Sequence, residues 1–584
     1  MGRFEISLKS NCILLRKTND QHVLSFTEES SQLKVKEINS SDVIFNTDYS
    51  CDGVLGLYTL SGSMYLEVIT ESKVIGKGFS GHPIYQVKSV EFLQIPGGKD
   101  EYVNLKYVRM LQNVLKITNL YYSLHEDLTK RLQDSLCEEL TEEDHIFPTT
   151  MNSAFMFNYP ILSELAPFRT VFPRDLIPIT IFGFMEIVPG ITVHSTTFTL
   201  TLISRRSIYR NGRRFNTRGA DSNGHVANYV ETEQILQTAS GHVYSHAQIR
   251  GSIPLEWSQT PYMKYTPRIH IGNDRKRLQI HFERLMQEYG RIIVVNLIDK
   301  KKDQLMIGEE YERACMKFVS DPSKLDFIWF DFHSECKKMH YENLEKLEKL
   351  TEASVTAGEF FEYDLEQKKV CCLQSAVIRT NCIDCLDRTN VVQSVFAKSM
   401  LFRELFGVQG EEIKKECFSL SSKQELVRIF NNMWADNADA MSLFYSSSPS
   451  LKTDYTRTGK RTRMGAVKDG INSVIRYFNN NFNDGYFEDC LNLTFNRVKM
   501  NEQTDKLTLK MKRYTIDSFF CIVLVPTTAL CYLVSKLVSK DYASSTMDTL
   551  LLASFSWIFY WFVKKGSSLG EIFVSRSILP LKNE

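Results

Sequence analysis

Hydrophobic residues change their spacing along this chain, and each change predicts a different architecture. In the first part they come in short runs at 12–15, 53–60, 64–69 and 85–90, parted by Gly, Ser and Asp. That is the pattern of half-buried strands joined by turns. Residues 102–124 switch to helical spacing, and a proline-containing stretch at 146–173 reads as a seam between domains. Beyond 176, strand and helix patterns alternate. Apolar runs at 292–298, 327–332 and 376–378 have the composition of central strands, whereas 275–289, 341–351 and 391–402 carry one apolar face each. The alternation predicts an α/β domain on a mixed sheet, with a β-rich domain before it. No internal repeat or low-complexity tract interrupts either part.

The C-terminal part follows neither pattern. Residues 518–535 are uncharged and largely apolar, with Pro526 inside, and 549–563 end in the aromatic run Trp557-Ile-Phe-Tyr-Trp-Phe562. A pair of buried core helices is the alternative to two membrane spans, but neither run shows the polar face of a soluble helix. Lys506, Lys510, Lys512 and Arg513 precede the first run, Lys564 and Lys565 follow the second, and only Lys536 and Lys540 lie between. This asymmetry places both ends in the cytosol. The predicted organisation is a β-rich domain at 1–175, a catalytic domain at 176–505 and a basic linker at 506–515. Transmembrane helices at 516–536 and 548–563 follow, with a lumenal loop at 537–547 between them and a cytosolic tail at 564–584.

Charge narrows the function classes. Seventy Lys and Arg against 69 Asp and Glu leave a net charge of +1, so no global charge argues for nucleic acid. Thirteen scattered cysteines suit a reducing compartment, and no long apolar run near Met1 marks a secretory leader.

The chemistry concentrates in Ser375-Ala-Val-Ile-Arg-Thr-Asn-Cys-Ile-Asp-Cys-Leu-Asp-Arg-Thr-Asn390. It reads as a buried strand, a tight turn and the first turn of a helix. Cys382 and Arg388 stand in the spacing Cys-x5-Arg. Five intervening residues let backbone N–H groups curl around one anion at a helix N-terminus, where Cys382 is favoured as a thiolate and Arg388 grips the same phosphate. Thr389 is placed to donate a hydrogen bond to the sulfur. Asp384 and Asp387 each read either as the proton carrier or as an ion-paired brace, with Asp387 slightly favoured as the acid. Asn381 and Asn390 read as braces. Cys382 and Cys385 also form Cys-x-x-Cys, a redox motif, but that reading leaves Arg388 unexplained. A zinc site would need a second ligand pair, which the adjacent Cys371 and Cys372 cannot supply. Asp331, His333 and Glu335 are expected to share one face of a strand end as a hydrogen-bonded cluster, with a metal site the lesser reading. Lys452, Arg457, Lys460, Arg461, Arg463 and Lys468 form a basic stretch that suits either an anionic leaflet or a solvated loop.

The string from Arg379 to Asn390 resembles the signature of the Sac-domain phosphoinositide phosphatases. Further segments resemble the same family: Val226-Ala-Asn-Tyr-Val-Glu-Thr-Glu233, Gln248-Ile-Arg-Gly-Ser-Ile-Pro254, Trp257-Ser-Gln259 and Trp329-Phe-Asp-Phe-His-Ser-Glu-Cys336. Trp434-Ala-Asp-Asn-Ala-Asp439 and Thr456-Arg-Thr-Gly-Lys-Arg461 extend the likeness. The predicted tail resembles that of the integral-membrane member of the endoplasmic reticulum and Golgi. The resemblance implies a membrane-anchored enzyme with a cytosolic catalytic domain and no metal or cofactor. Its substrate would be phosphatidylinositol 4-phosphate first and the 3-phosphate next, hydrolysed through a phosphocysteine on Cys382. Ile383, Cys385, Leu386 and Thr389, with Lys460 and Arg461, would bind that substrate, and membrane-contact-site or retrieval adaptors are the partners implied. Two carboxylates and no lysine between Cys382 and Arg388 also look like a poor cradle for several phosphates. Three departures from the family pattern stand out. Arg213 replaces a small hydroxyl residue, Ser446-Ser-Ser-Pro449 replaces a Gly-Thr-rich stretch, and Leu581-Lys-Asn-Glu584 carries one lysine. A phosphoprotein phosphatase and a membrane-contact-site scaffold are the rival functions.

Overall fold

The structure, a computed structural model, describes residues 3–98, 102–137, 151–193, 196–262, 267–319, 321–337, 340, 343–355, 360–407, 425–459, 462–511 and 574–582. Five short strands at the N-terminus form an antiparallel sheet in the order Gln32–Asn39, His22–Glu29, Ile13–Lys17, Phe4–Leu8 and Tyr49–Cys51. A much larger sheet begins at Gly53–Leu60 and continues through Ser63–Lys77, Pro83–Gln94, Leu120–Ser123, Thr180–Val193, Thr196–Arg206, Val230–Thr238 and His242–Arg250. Up to that point every neighbour is antiparallel. The next three strands, Ala376–Asn381, Arg291–Asn296 and Leu325–Trp329, are parallel. The sheet is therefore mixed, and it runs unbroken across residues 175 and 176.

The parallel strands are the ones the apolar runs predict. Alternate residues of Arg291–Asn296 face opposite layers. Ile292 and Val294 pack with Leu278, Phe282, Ile307 and Tyr311 of helices Lys276–Tyr289 and Lys302–Phe318, while Ile293 and Val295 pack with Val392, Phe396 and Met400 of helix Asp387–Phe406. Burial on both faces is why this strand reads as a continuous hydrophobic run.

Three local expectations change. The helix predicted over 102–124 spans Tyr102–Leu115 and ends in a tightened turn, Ile117 N–H to Val114 O and Thr118 N–H to Leu115 O. Leu120–Ser123 is a strand, because its Leu-Tyr-Tyr run pairs with Pro83–Gln94 and Thr180–Val193 and satisfies its backbone there. The run at 327–332 stops as a strand at Trp329. Asp331 then accepts from Ser334 N–H and caps the short helix Phe332–Glu335, so Asp331, His333 and Glu335 do not alternate along a strand. The helix expected to take its first turn inside the Cys-x5-Arg motif and to carry an apolar face over 391–402 spans Asp387–Phe406.

Among the described residues no helix is long and apolar enough to cross a membrane. The two predicted spans, at 516–536 and 548–563, lie outside the described residues. Both flanks of that stretch are described. Helix Glu502–Lys510 packs beside helix Tyr102–Leu115, and Tyr107 Oη donates to Asp505 at 2.8 Å. The tail returns to the same body. Ser577 Oγ and the N–H groups of Ile578 and Leu579 all donate to Asp489, and Val498 bridges to Leu581.

Candidate active site

The parallel strand Ala376–Asn381 delivers its chain to the sheet's C-terminal edge, where the next five residues turn into helix Asp387–Phe406. Open sheets bind ligands at such edges. The turn requires a left-handed residue, and Cys385 takes that role with φ of 52°. Its N–H donates to Cys382 Sγ at 3.1 Å, while its own thiol donates to Gly251 O. Burial pushes the Cys385 thiol up to about 12, so this second cysteine stays protonated. Cys382 is buried at the base of a cavity of about 450 Å³.

Arg388 lines the same cavity and is held by Leu297 O and Asp299 Oδ1, each at 3.0 Å. Burial alone would lower its affinity for the proton; Cys382, Asp299 and Asp384 outweigh that and raise it. Asp299 also receives His333 Nδ1 at 2.7 Å. The three residues once grouped on a strand thus have separate duties. His333 faces Asp299, Asp331 caps its helix, and Glu335 pairs with Lys346 at 3.2 Å.

The two loop carboxylates differ sharply. Asp384 sits in a fork of arginines, 2.7 Å from Arg214 and 2.6 Å from Arg218. Its burial would favour the neutral acid, but the two guanidinium groups win and hold it well below the usual carboxylate range. It is the ion-paired brace of the two sequence readings. Asp387 lines the cavity and accepts from Ser450 Oγ at 2.5 Å and Leu451 N–H at 3.0 Å, with Arg476 at 3.4 Å.

The remaining predicted residues fall into place around these. The Ile383 carbonyl accepts from Arg218, Leu386 joins the apolar layer under the cavity, and Thr389 Oγ1 is buried with no hydrogen-bond partner among the described residues. Asn381 donates to Asn296 and Asn390 donates to Trp434 O, so both brace the loop. Lys460 and Arg461 lie outside the described residues. Arg213, unexpected in the family pattern, is buried against Asp484 at 3.2 Å and stacks over Phe487. From the Ser446–Pro449 stretch, Ser448 Oγ and Pro449 O accept from Arg476.

Sequence reasoning missed several site residues. Arg214 and Arg218 come from the connection between strands Thr196–Arg206 and Val230–Thr238, and from there Asn228 donates to the carbonyls of Asp384 and Cys385. Arg250 lies buried at the loop; burial pushes it down to about 10, against the attraction of Cys385 and Cys382. Among the described residues four cations, Arg214, Arg388, Lys452 and Arg476, and two carboxylates line the cavity.

The SacI homology domain matches residues 52–337. The chain is 35% identical over 519 residues to phosphatidylinositol-3-phosphatase SAC1-A of Danio rerio, covering 85% of each. It is 34% identical over 458 residues to phosphatidylinositol-3-phosphatase SAC1 of Saccharomyces cerevisiae, covering 75% of this chain and 71% of that protein. Similarity to phosphoinositide phosphatase SAC6 of Arabidopsis thaliana is 32% over 521 residues, 85% of each.

Proposed function

We propose, from the premise that this chain belongs to the phosphoinositide phosphatases with a SacI homology domain, that it hydrolyses singly phosphorylated phosphatidylinositol through a phosphocysteine. The observation that carries this reading is the convergence of Cys382 and Arg388 on one cavity at a helix N-terminus, with the Cys385 N–H donated to the Cys382 sulfur. The Cys382 sulfur attacks phosphorus while the bond to the inositol oxygen breaks. Arg388, oriented by Asp299, neutralises the charge gathering on the phosphoryl oxygens. The departing inositol oxygen takes a proton from Asp387, which then receives one from the water that cleaves the sulfur–phosphorus bond and frees phosphate. Asp384 stays ionised between its arginines and has no proton to give, which leaves this duty to Asp387.

Charge supports a singly phosphorylated head group, by an argument different from the one the loop sequence offers. Asp384 is answered by two arginines, so it does not repel a phosphate by itself. Among the described residues the lining has two more cations than carboxylates, which suits one phosphomonoester of about −1.5 to −2 charge. The resemblance noted in the sequence favours the 4-phosphate, and the names of the animal and yeast relatives favour the 3-phosphate.

Residues 516–536 and 548–563 anchor the enzyme in the membranes of the endoplasmic reticulum and Golgi, with the catalytic domain in the cytosol. The packing of both flanks of that stretch on one body supports this topology, since it requires both ends on the same side of the bilayer. The test is phosphate release by the purified full chain from the 4-phosphate, the 3-phosphate and the 3,4,5-trisphosphate. Cys382→Ser is expected to lower turnover by about a thousandfold or more. Comparable turnover of the trisphosphate would overturn the substrate preference.

A further inference from the structure

Helix Arg463–Phe482 has two unlike faces. Its inner face is tied to the catalytic loop through Arg476, which reaches Ser448, Ser442, Pro449 O and the Asp387 carboxylate. Its outer face is apolar and, among the described residues, uncovered. Met464, Val467, Ile471 and Val474 are 66, 57, 54 and 48% exposed. Their spacing of three, four and three residues lines them up as one stripe along the helix. Arg463 and Lys468, also exposed, flank it. A helix of a soluble domain turns its polar residues outward, so a continuous apolar stripe in that position calls for something to cover it.

The stripe is held rigidly against the active site. Thr462 caps the helix by accepting from Gly465 N–H at 2.9 Å, and its own hydroxyl donates to Asp454. Asp469, on the same helix, accepts from the backbone N–H of Lys452 at 3.1 Å, and Lys452 lines the cavity that holds Cys382. The helix that carries the stripe is thereby fixed beside the cavity, with Lys452 between them. The substrate of this enzyme is a bilayer lipid, so the surface around the cavity mouth must meet a leaflet. An apolar stripe flanked by Arg463 and Lys468 has the composition of a helix lying in the interface of an anionic membrane.

We propose that the face formed by Met464, Val467, Ile471 and Val474 seats shallowly in the anionic leaflet that carries the substrate, setting the catalytic cavity at head-group height. This rests on the reaction argued above and adds to it a membrane-reading surface distinct from the anchor at 516–563.

The test uses the full chain reconstituted into phosphatidylcholine vesicles containing phosphatidylserine. Turnover is compared for long-chain phosphatidylinositol 4-phosphate in the bilayer and for its water-soluble dibutanoyl analogue. Replacing all four residues, Met464→Ser, Val467→Ser, Ile471→Ser and Val474→Ser, is expected to lower turnover of the bilayer substrate roughly tenfold or more, leaving the soluble substrate within about twofold. The conservative pair Val467→Leu and Ile471→Leu is expected to behave as the parent on both. Equal loss on both substrates, or loss on neither, overturns the inference. So does a parent chain that is dimeric in detergent and becomes monomeric in the serine variant, since the stripe would then join two copies. A parent inert on both substrates would overturn the functional reading and this inference with it, whereas a parent active on both separates the two.

Discussion

Two buried ionic clusters in this molecule are built from the same parts in opposite proportion. In the antiparallel half of the sheet, Arg205 lies between Glu231 at 2.9 Å and Glu233 at 2.7 Å, one cation for two carboxylates. At the catalytic loop Asp384 lies between Arg214 and Arg218, one carboxylate for two cations. The first cluster is closed. Tyr289 donates to Glu231, Ser245 and Leu132 N–H donate to Glu233, and Arg205 also donates to Leu128 O. Its three charged side chains are at most 3% exposed. The second is open on one side, with Asp384 and Arg214 each 19% exposed and both lining the cavity. A closed cluster fixes the register of three strands. An open one with surplus cations holds a loop in shape and leaves positive potential for an incoming phosphate.

Breaking the closed cluster has the larger consequence for folding. Arg205→Leu strands two carboxylates in the sheet and is expected to cost about 3–5 kcal/mol in chemical denaturation, because an uncompensated buried charge is costly. Turnover per folded molecule should stay near the parent's. A cost below about 1 kcal/mol would show that the cluster is not the closed unit its bonding describes.

Breaking the open cluster trades a smaller loss of stability for a loss of function. Asp384→Asn keeps the side chain's shape but releases Arg214 and Arg218, and turnover is expected to fall roughly tenfold as the loop loosens. Acid then separates variant from parent. The folded-state value of Asp384 is depressed, so its contribution is fully present above the unfolded value of about 3.9 and is lost as pH falls toward the folded one. Between about pH 5 and about pH 3 the parent should therefore lose about 1 kcal/mol more than Asp384→Asn. Parallel curves for the two proteins would contradict the ion pairing.

The contrast between these clusters also explains what the sequence could and could not disclose. Cys382, Arg388, Asp384 and Asp387 fall within seven consecutive residues, so their convergence is a local property of one turn and can be read from spacing. The strands beneath them were equally legible, because burial on both faces leaves a continuous apolar run such as Ile292 to Val295. The partners that decide the roles of the two aspartates are remote. Arg214 and Arg218 lie more than 160 residues before Asp384, and Arg476 lies 89 residues after Asp387. Nothing in local periodicity links them. The two braces, Asn381 and Asn390, flank the turn, one ending its strand and one in the first turn of its helix, so their place beside the loop can be read from spacing. The strand at Leu120–Ser123 was not, because its place is set by neighbours on both sides rather than by its own pattern. Arg213 is instructive in another way. A departure from the family pattern is absorbed by a buried pairing with Asp484, from a helix more than 250 residues later.

The open cluster exists, on this account, to present a phosphate to one sulfur. The most direct test mixes the full chain with phosphatidylinositol 4-phosphate carrying a labelled phosphate, quenches within a single turnover and maps the label by peptide mass spectrometry. The account predicts phosphate on Cys382 that rises and decays with product release and is missing from Cys382→Ser. Rapid release of labelled phosphate with no label ever found on Cys382 would contradict it.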